Sequence, residues 1–189
     1  MQRDNRGLRK VNTMLPVAPD NDDNMTMTTT QSTRIDDLDA RIIALFTEQP
    51  SVGVLGASRA LGVARGTVQA RLDRLRSKGV IRSLAPTIDP AALGYPVTAL
   101  CTLEIRQRSG HNSVVEHLTR IPEVLEIHST TGRGDLIVRI VATDNADLGR
   151  VIDDILADTH VVRASTSICL VTHLEMRTDP LVQAATHLP

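Results

Sequence analysis

Aromatic residues are almost missing from this chain: one Phe, one Tyr and no Trp among 189 residues. Stacking of bases on aromatic side chains is therefore unavailable, which makes single-stranded nucleic acid a poor target. Cysteine is nearly absent too. Cys101 and Cys169 each lie inside an apolar run, with no Cys or His nearby at metal-ligand spacing, so they read as small buried hydrophobes rather than a metal pair or a disulfide. No apolar run approaches the roughly 20 residues of a membrane span, and the N-terminal stretch lacks the apolar block of a secretory signal. The expectation is a globular cytoplasmic chain with no membrane partner. Six histidines form no H-E-x-x-H or similar metal pattern, and neither a P-loop nor a nucleophile elbow occurs. No catalytic residue, metal ligand or cofactor is expected, and His128 and His173, placed on expected strands, read as structural.

Lysine is scarce as well, since only Lys10 and Lys78 accompany the arginines. The hydrophobic share of 41% suffices for a normal core in one large or two small domains. The formal charge of −1 conceals a division of the chain. Residues 35–82 carry eight basic against five acidic side chains, and residues 83–189 carry eight against thirteen. A basic module joined to an acidic one points to a nucleic-acid-binding domain attached to something else.

Residues 1–34 have few large apolar residues and no period, and the tract "NDDNMTMTTTQSTR" predicts disorder. Met14, Met25 and Met27 are alternative starts, and Arg3, Arg6, Arg9 and Lys10 read as a solvated basic tail. From Ile35 the pattern turns helical. Leu38, Ile42 and Phe46 recur every fourth residue, Asp36 and Asp37 sit at the favourable N-terminal end, and Pro50 closes the helix. A short helix around 55–61, a turn at Gly62-Val63 and a helix over 65–77 follow. Val68, Leu72 and Leu75 form the buried face of the last one, and Gly79 fits its stop. Its other faces carry Arg65, Thr67, Gln69, Arg71, Arg74 and Arg76 against the single acid Asp73. Two short helices, a glycine turn and a basic helix form a helix-turn-helix, whose second helix enters the major groove of double-stranded DNA. "VIRSLAPTID" predicts a short strand and a link.

The remainder reads β-α-β-β-α-β. "TALCTLEIR" alternates Ala99, Cys101, Leu103 and Ile105 against Thr102 and Glu104. "NSVVEHLTRI" is a helix, "VLEIHSTT" and "DLIVRIVA" are strands, and "NADLGRVIDDILA" is a helix capped by Asp144. "VVRASTSICLVTHLE" is the last strand. This order predicts a ferredoxin-like split βαβ unit, an antiparallel sheet with both helices on one face. Because Cys101, Leu103, Ile168 and Leu170 look too apolar for a two-sided sheet, self-association through the sheets is expected. The fold class is α+β: a winged helix-turn-helix at 35–82, a linker strand at 83–96, a ferredoxin-like domain at 97–175 and a tail at 176–189.

Between the two central strands lies "STTGRGD", Ser129–Asp135. By itself it reads as a turn, a phosphate cradle, an adhesion-like RGD or a ligand pocket. Backbone N–H groups at Gly132 and Gly134 could hold a carboxylate, Arg133 could strengthen that, and Asp135 could take an amino group. Equally, the glycines could only permit positive φ while Asp135 pins the turn.

From Ile35 to Leu174 the segments "IDDLDARIIALF", "LGVARGTVQARLDRLRSKGVI", "IDPAALGYPVTAL", "IPEVLEIHSTTGRGDLIVRIVATD" and "VVRASTSICL" resemble the Lrp/AsnC family of feast/famine transcriptional regulators. The resemblance implies homodimers assembling into tetramers or octamers, nucleoid association, and a small effector, typically an amino acid, beside the loop between the second and third strands. The family's Gly-x-x-Asp falls on Gly132 and Asp135. Ser129, Thr130 and Thr131 match pocket-lining positions, and Ser167 and Ile168 match positions of effector response. For DNA, Arg65 and Gln69 are the candidates for bases, with Thr67 beside them, and Arg59, Arg71 and Arg74 for phosphates or, for Arg71, helix packing. Three positions depart from the family pattern. Ala64 stands where a Ser or Thr caps the recognition helix. "GASRA" thins the preceding helix. Arg133-Gly134 replaces an acidic-aromatic pair, which marks the ligand or the response as what differs. Two rivals share these features: an effector-independent chromatin-organising protein, and a siroheme decarboxylase with His128, Arg133 or Arg139 at a tetrapyrrole cleft.

Overall fold

The computed structural model describes residues 33–106 and 111–187. The expectations for the N-terminal extension therefore lie outside the described residues, apart from its last two positions. No described helix is long and apolar enough to cross a membrane.

Three helices form the first half: α1 (Asp37–Glu48), α2 (Gly53–Leu61) and α3 (Arg65–Ser77). Asp36 caps α1 by accepting the Asp39 N–H at 2.9 Å, and Asp39 returns the bond by accepting the Asp36 N–H at 3.1 Å. This reciprocal pair fixes the first turn. Between α2 and α3 the chain turns at Gly62, where φ of 70° would strain a side chain. The Ser58 hydroxyl closes that turn by donating to the Val63 carbonyl at 2.7 Å. Ile42, Phe46, Ala57, Val68 and Leu72 then pack into one small core. α3 ends at Gly79 in the left-handed region, with φ of 71°.

The strand expected over 80–89 does not form, so the helix-turn-helix has no β-paired wing among the described residues. Pro86 and Pro90 remove ladder donors there, and none of the four strands of the sheet pairs with this segment. The link instead contains one 3₁₀ turn (Ala91–Leu93), a bend at Gly94 with φ of 95°, and half-buried Tyr95, whose N–H reaches the Pro90 carbonyl at 2.9 Å.

The second half is β1 (Val97–Ile105), α4 (His111–Leu118), β2 (Val124–Ser129), β3 (Leu136–Ala142), α5 (Asn145–Leu156) and β4 (Val161–Ile168). The strands lie in the order β2-β3-β1-β4 and all pair antiparallel. Val114 and Leu118 of α4 share one core with Leu148, Val151 and Ile155 of α5 and with Ala99, Cys101, Leu103, Leu136, Val138 and Ile140 of the sheet. Asp144 caps α5 as expected, accepting from Ala146 and Asp147 at 2.8 Å.

The sheet's faces differ from expectation. Cys101 and Leu103 point into the helical core and are fully buried, and burial raises the Cys101 thiol above its ordinary pKa. Ile168 pairs with Ala99 and so shares that helix-side face, at its edge, while Leu170 lies beyond β4. The helix-free face instead carries Thr98, Leu100, Thr102, Glu104, Ile137, Arg139, Arg163, Ser165 and Ser167, a mixed surface. β4 also stops at Ile168 rather than running to 175, because β1 offers no partner before Val97. The Cys169 N–H to the Thr98 carbonyl, at 2.8 Å, is the last ladder bond. His173 is therefore exposed and off the sheet, and Cys169 is only half-buried. The expected tail contains a further helix, α6 (Asp179–Ala185), which contacts α1.

Candidate DNA-reading helix and effector pocket

On α3 the basic side chains divide into two sets. Asp39 is fully buried, and its carboxylate accepts from Arg71 at 3.0 Å and from the Arg74 guanidinium through its other oxygen. Arg71 also bonds Asp36. That contact, with the Asp39 N–H, holds the Asp36 carboxyl below its ordinary pKa, while Asp36 and Asp39 raise that of Arg71. Arg71 and Arg74 thus fasten α3 to α1, and their guanidinium groups are engaged within the protein. For Arg71 this is the packing role foreseen as one alternative; Arg74, expected at phosphates, instead pairs with the buried Asp39 carboxylate, which it shares with Arg71.

Arg65, Thr67 and Gln69 are exposed at the start of α3, and Arg59 is exposed on α2. Gln69 donates to Asp73 at 2.9 Å along the same helix. Among the described residues Arg59 and Arg65 have no ion-pair partner. Ala64 takes the extended N-cap backbone, but its side chain cannot cap, so the first N–H groups of α3 remain open to solvent or to a phosphate.

In the second half, the loop between β2 and β3 is anchored to β1. The Asp135 N–H donates to the Leu103 carbonyl at 2.8 Å, and the Asp135 carboxylate accepts the Ile105 N–H at 2.7 Å. Thr130 closes the loop from within: its N–H reaches the Asp135 carbonyl at 2.9 Å and its hydroxyl the Gly134 carbonyl at 3.1 Å. Gly132 has φ of 117°, a conformation side chains rarely adopt. Gly134 is held to glycine by space, since a Cβ there would collide with the Thr102 methyl and approach the Leu103 carbonyl oxygen to 3.2 Å. Asp135 therefore pins the turn, as one of the two readings of the loop had it.

Two hollows flank this loop. One, of about 300 Å³, is lined by Glu104, Ile105, Gly132, Arg133, Gly134, Asp135 and Val162. The other, of about 270 Å³, is lined by Thr102, Glu104, Arg133, Arg163 and Ser165 on the helix-free face. Of the expected effector residues, the structure brings Gly132, Arg133 and Asp135 to a hollow. Thr130 supports the loop, Thr131 is exposed, and the Ser129 hydroxyl meets His111 at 3.0 Å. Ser167 and Ile168 are not beside the loop. Ser167 pairs with Leu100, four residues, or about 14 Å, along β1 from Glu104. Register instead delivers Arg163 opposite Glu104 and Ser165 opposite Thr102. Sequence reasoning missed these four residues. Alternation marked Thr102 and Glu104 as outward, but nothing local reports which residues of the last strand lie across from them.

Family models match both halves, an AsnC-type helix-turn-helix domain over residues 35–76 and an Lrp/AsnC ligand binding domain over residues 98–179. The chain is 30% identical over 147 residues to the HTH-type transcriptional regulator FL11 of Pyrococcus horikoshii, covering 78% of this chain and 97% of the relative. This chain belongs to the Lrp/AsnC family. The family is one of DNA-binding transcriptional regulators with a ligand-binding domain, and not one of enzymes. Mycolicibacterium smegmatis AldR is 29% identical over 137 residues, which is 71% of this chain and 80% of AldR. The fold matches E. coli AsnC with a TM-score of 0.71 at 22% identity, covering 77% of this chain and 99% of AsnC. It also matches a Neisseria meningitidis regulator in complex with L-Met, with a TM-score of 0.69 at 21% identity, covering 78% and 99% of the two chains.

Proposed function

We propose that this Lrp/AsnC regulator acts in the cytoplasm as an oligomer that reads double-stranded DNA with sequence preference and answers to an amino acid at the Thr130–Asp135 loop. The observation that carries the reading is the division of the arginines: Arg71 and Arg74 hold α3 in place, while Arg59, Arg65, Thr67 and Gln69 remain available to DNA. Arg65 and Gln69 are assigned to base edges and Arg59 to phosphate. Two observations support the effector. Arg133 sits at both hollows, and the N–H groups of Gly132, Arg133 and Gly134 have no partner among the described residues, which suits a carboxylate. A solved relative also carries L-Met. Self-association is supported by Leu170, Val171, Leu174 and Met176, which follow one another after β4 with 65–91% of their surface exposed.

The test is fluorescence-anisotropy titration of DNA from upstream of the protein's own gene, at several salt concentrations. Affinity should fall steeply as salt rises. Arg65→Ala should weaken specific binding by about 1–3 kcal/mol while leaving thermal unfolding unchanged. Unchanged binding of the Arg65 variant overturns the assignment of α3 as the reading helix. Specific binding that no amino acid alters, with no ligand-induced thermal shift, replaces the effector reading with the chromatin-organising one.

A further inference from the structure

We infer that the effector is a dicarboxylic amino acid, glutamate or aspartate, bound across the two hollows with its side-chain carboxylate on Arg163. The inference rests on the reading of the Thr130–Asp135 loop as an amino-acid site and specifies its ligand class from the charges that face it.

Three ionisable side chains remain for a ligand. Glu104 and Arg133 line both hollows, and Arg163 lines the second. Asp135 also borders the first hollow, but one of its oxygens already accepts the Ile105 N–H, which ties it to β1. An α-amino acid brings one carboxylate and one ammonium group. The carboxylate suits Arg133 and the unpartnered N–H groups of Gly132, Arg133 and Gly134, and the ammonium suits Glu104.

Arg163 is then left over. Its nearest acid is Glu104, at 4.0 Å, the limit of an ion pair, and an incoming ammonium competes for that same carboxylate. The remaining lining of the second hollow consists of the Thr102 and Ser165 side chains, so there is no aliphatic wall to receive a leucine or methionine side chain. An apolar side chain there would displace water from a guanidinium and return nothing for it. A carboxylate pairs with Arg163 and accepts from both hydroxyls. Register holds this arrangement in place, since Glu104 faces Arg163 and Thr102 faces Ser165 across the β1–β4 ladder.

Isothermal titration of the full chain at about 0.1 M salt, where exposed pairs still contribute, tests the inference with L-glutamate, L-aspartate, L-glutamine, L-leucine, L-methionine and succinate. Glutamate or aspartate should bind at least about tenfold more tightly than glutamine or the aliphatic amino acids. Arg163→Gln should erase that preference without weakening glutamine, and because Arg163 is 71% exposed the variant should unfold at the wild-type temperature. Leucine or methionine binding in preference to the acidic pair overturns the inference and leaves the amino-acid reading standing. So does a preference that survives Arg163→Gln. Succinate binding as well as glutamate overturns the role given to Glu104, and with it the inference. Failure of every amino acid to bind removes both this ligand class and the reading beneath it.

Discussion

The basic helix α3 and the loop between β2 and β3 use the same pair of residue types in opposite ways. On α3 the acids come from another helix, and Asp36 and Asp39 consume Arg71 and Arg74 to hold the helix at its angle. At the loop the acid comes from within, and Asp135 consumes backbone N–H rather than an arginine, so Arg133 stays open. The difference teaches that a basic residue's function follows from where the nearest buried carboxylate is. Counting arginines along a helix cannot supply that.

The largest effect is expected where the comparison is most dependent on one residue. Asp39→Ala leaves Arg74 without its acid and Arg71 with Asp36 alone, beside a site that was buried. Breaking a buried pair costs about 3–5 kcal/mol, and because Arg71 and Arg74 are 30% and 42% exposed the expected loss is nearer ~2–3 kcal/mol. Urea unfolding would measure it, and a loss under ~1 kcal/mol would mean that the helices are held by their apolar core alone. The loop's counterpart is Gly134→Ala, which forces a methyl group against Thr102 and should cost about 1–3 kcal/mol by the same measurement. If that variant is as stable as the parent, the loop is not wedged onto β1. The smallest effect sharpens the helix side. Ala64→Ser restores a hydroxyl at an N-cap already in the extended conformation and should stabilise by about 0.5–2 kcal/mol. A simultaneous fall in DNA affinity would indicate that the cap competes with a phosphate for the same N–H groups.

What the sequence alone specifies legibly depends on the range of the interactions involved. α3 was legible to both ends because Val68, Leu72 and Leu75 repeat at helical spacing and Gly79 stops the helix, all within fifteen residues. The order of strands and helices was legible for the same reason. Contacts between distant residues were not. Arg71 and Asp39 are 32 residues apart, and only the packing of α3 on α1 brings them together. Likewise β1 and β4 meet in a register that sets Arg163 and Ser165, rather than Ser167 and Ile168, across from Glu104 and Thr102. β4 is shorter than its sequence suggests, because Cys169, Leu170 and Val171 continue an apolar run whereas a strand ends where its partner does. Alternation puts Cys101 and Leu103 on one face of β1, and their burial shows that this face meets the helices, so their apolarity says nothing of the opposite face.

The half-buried Tyr95 in the link between the two halves has a spectroscopic consequence. With no Trp and no second Tyr in the sequence, this one phenol dominates the protein's intrinsic ultraviolet fluorescence, to which Phe46 adds only a weak signal excited at shorter wavelength. The Tyr95 signal arises in the link between the helix-turn-helix and the four-stranded sheet, beside the Pro90 carbonyl that fixes its backbone. The molecule thus carries, without any label, a single optical reporter at the place where binding on one side would have to be felt on the other.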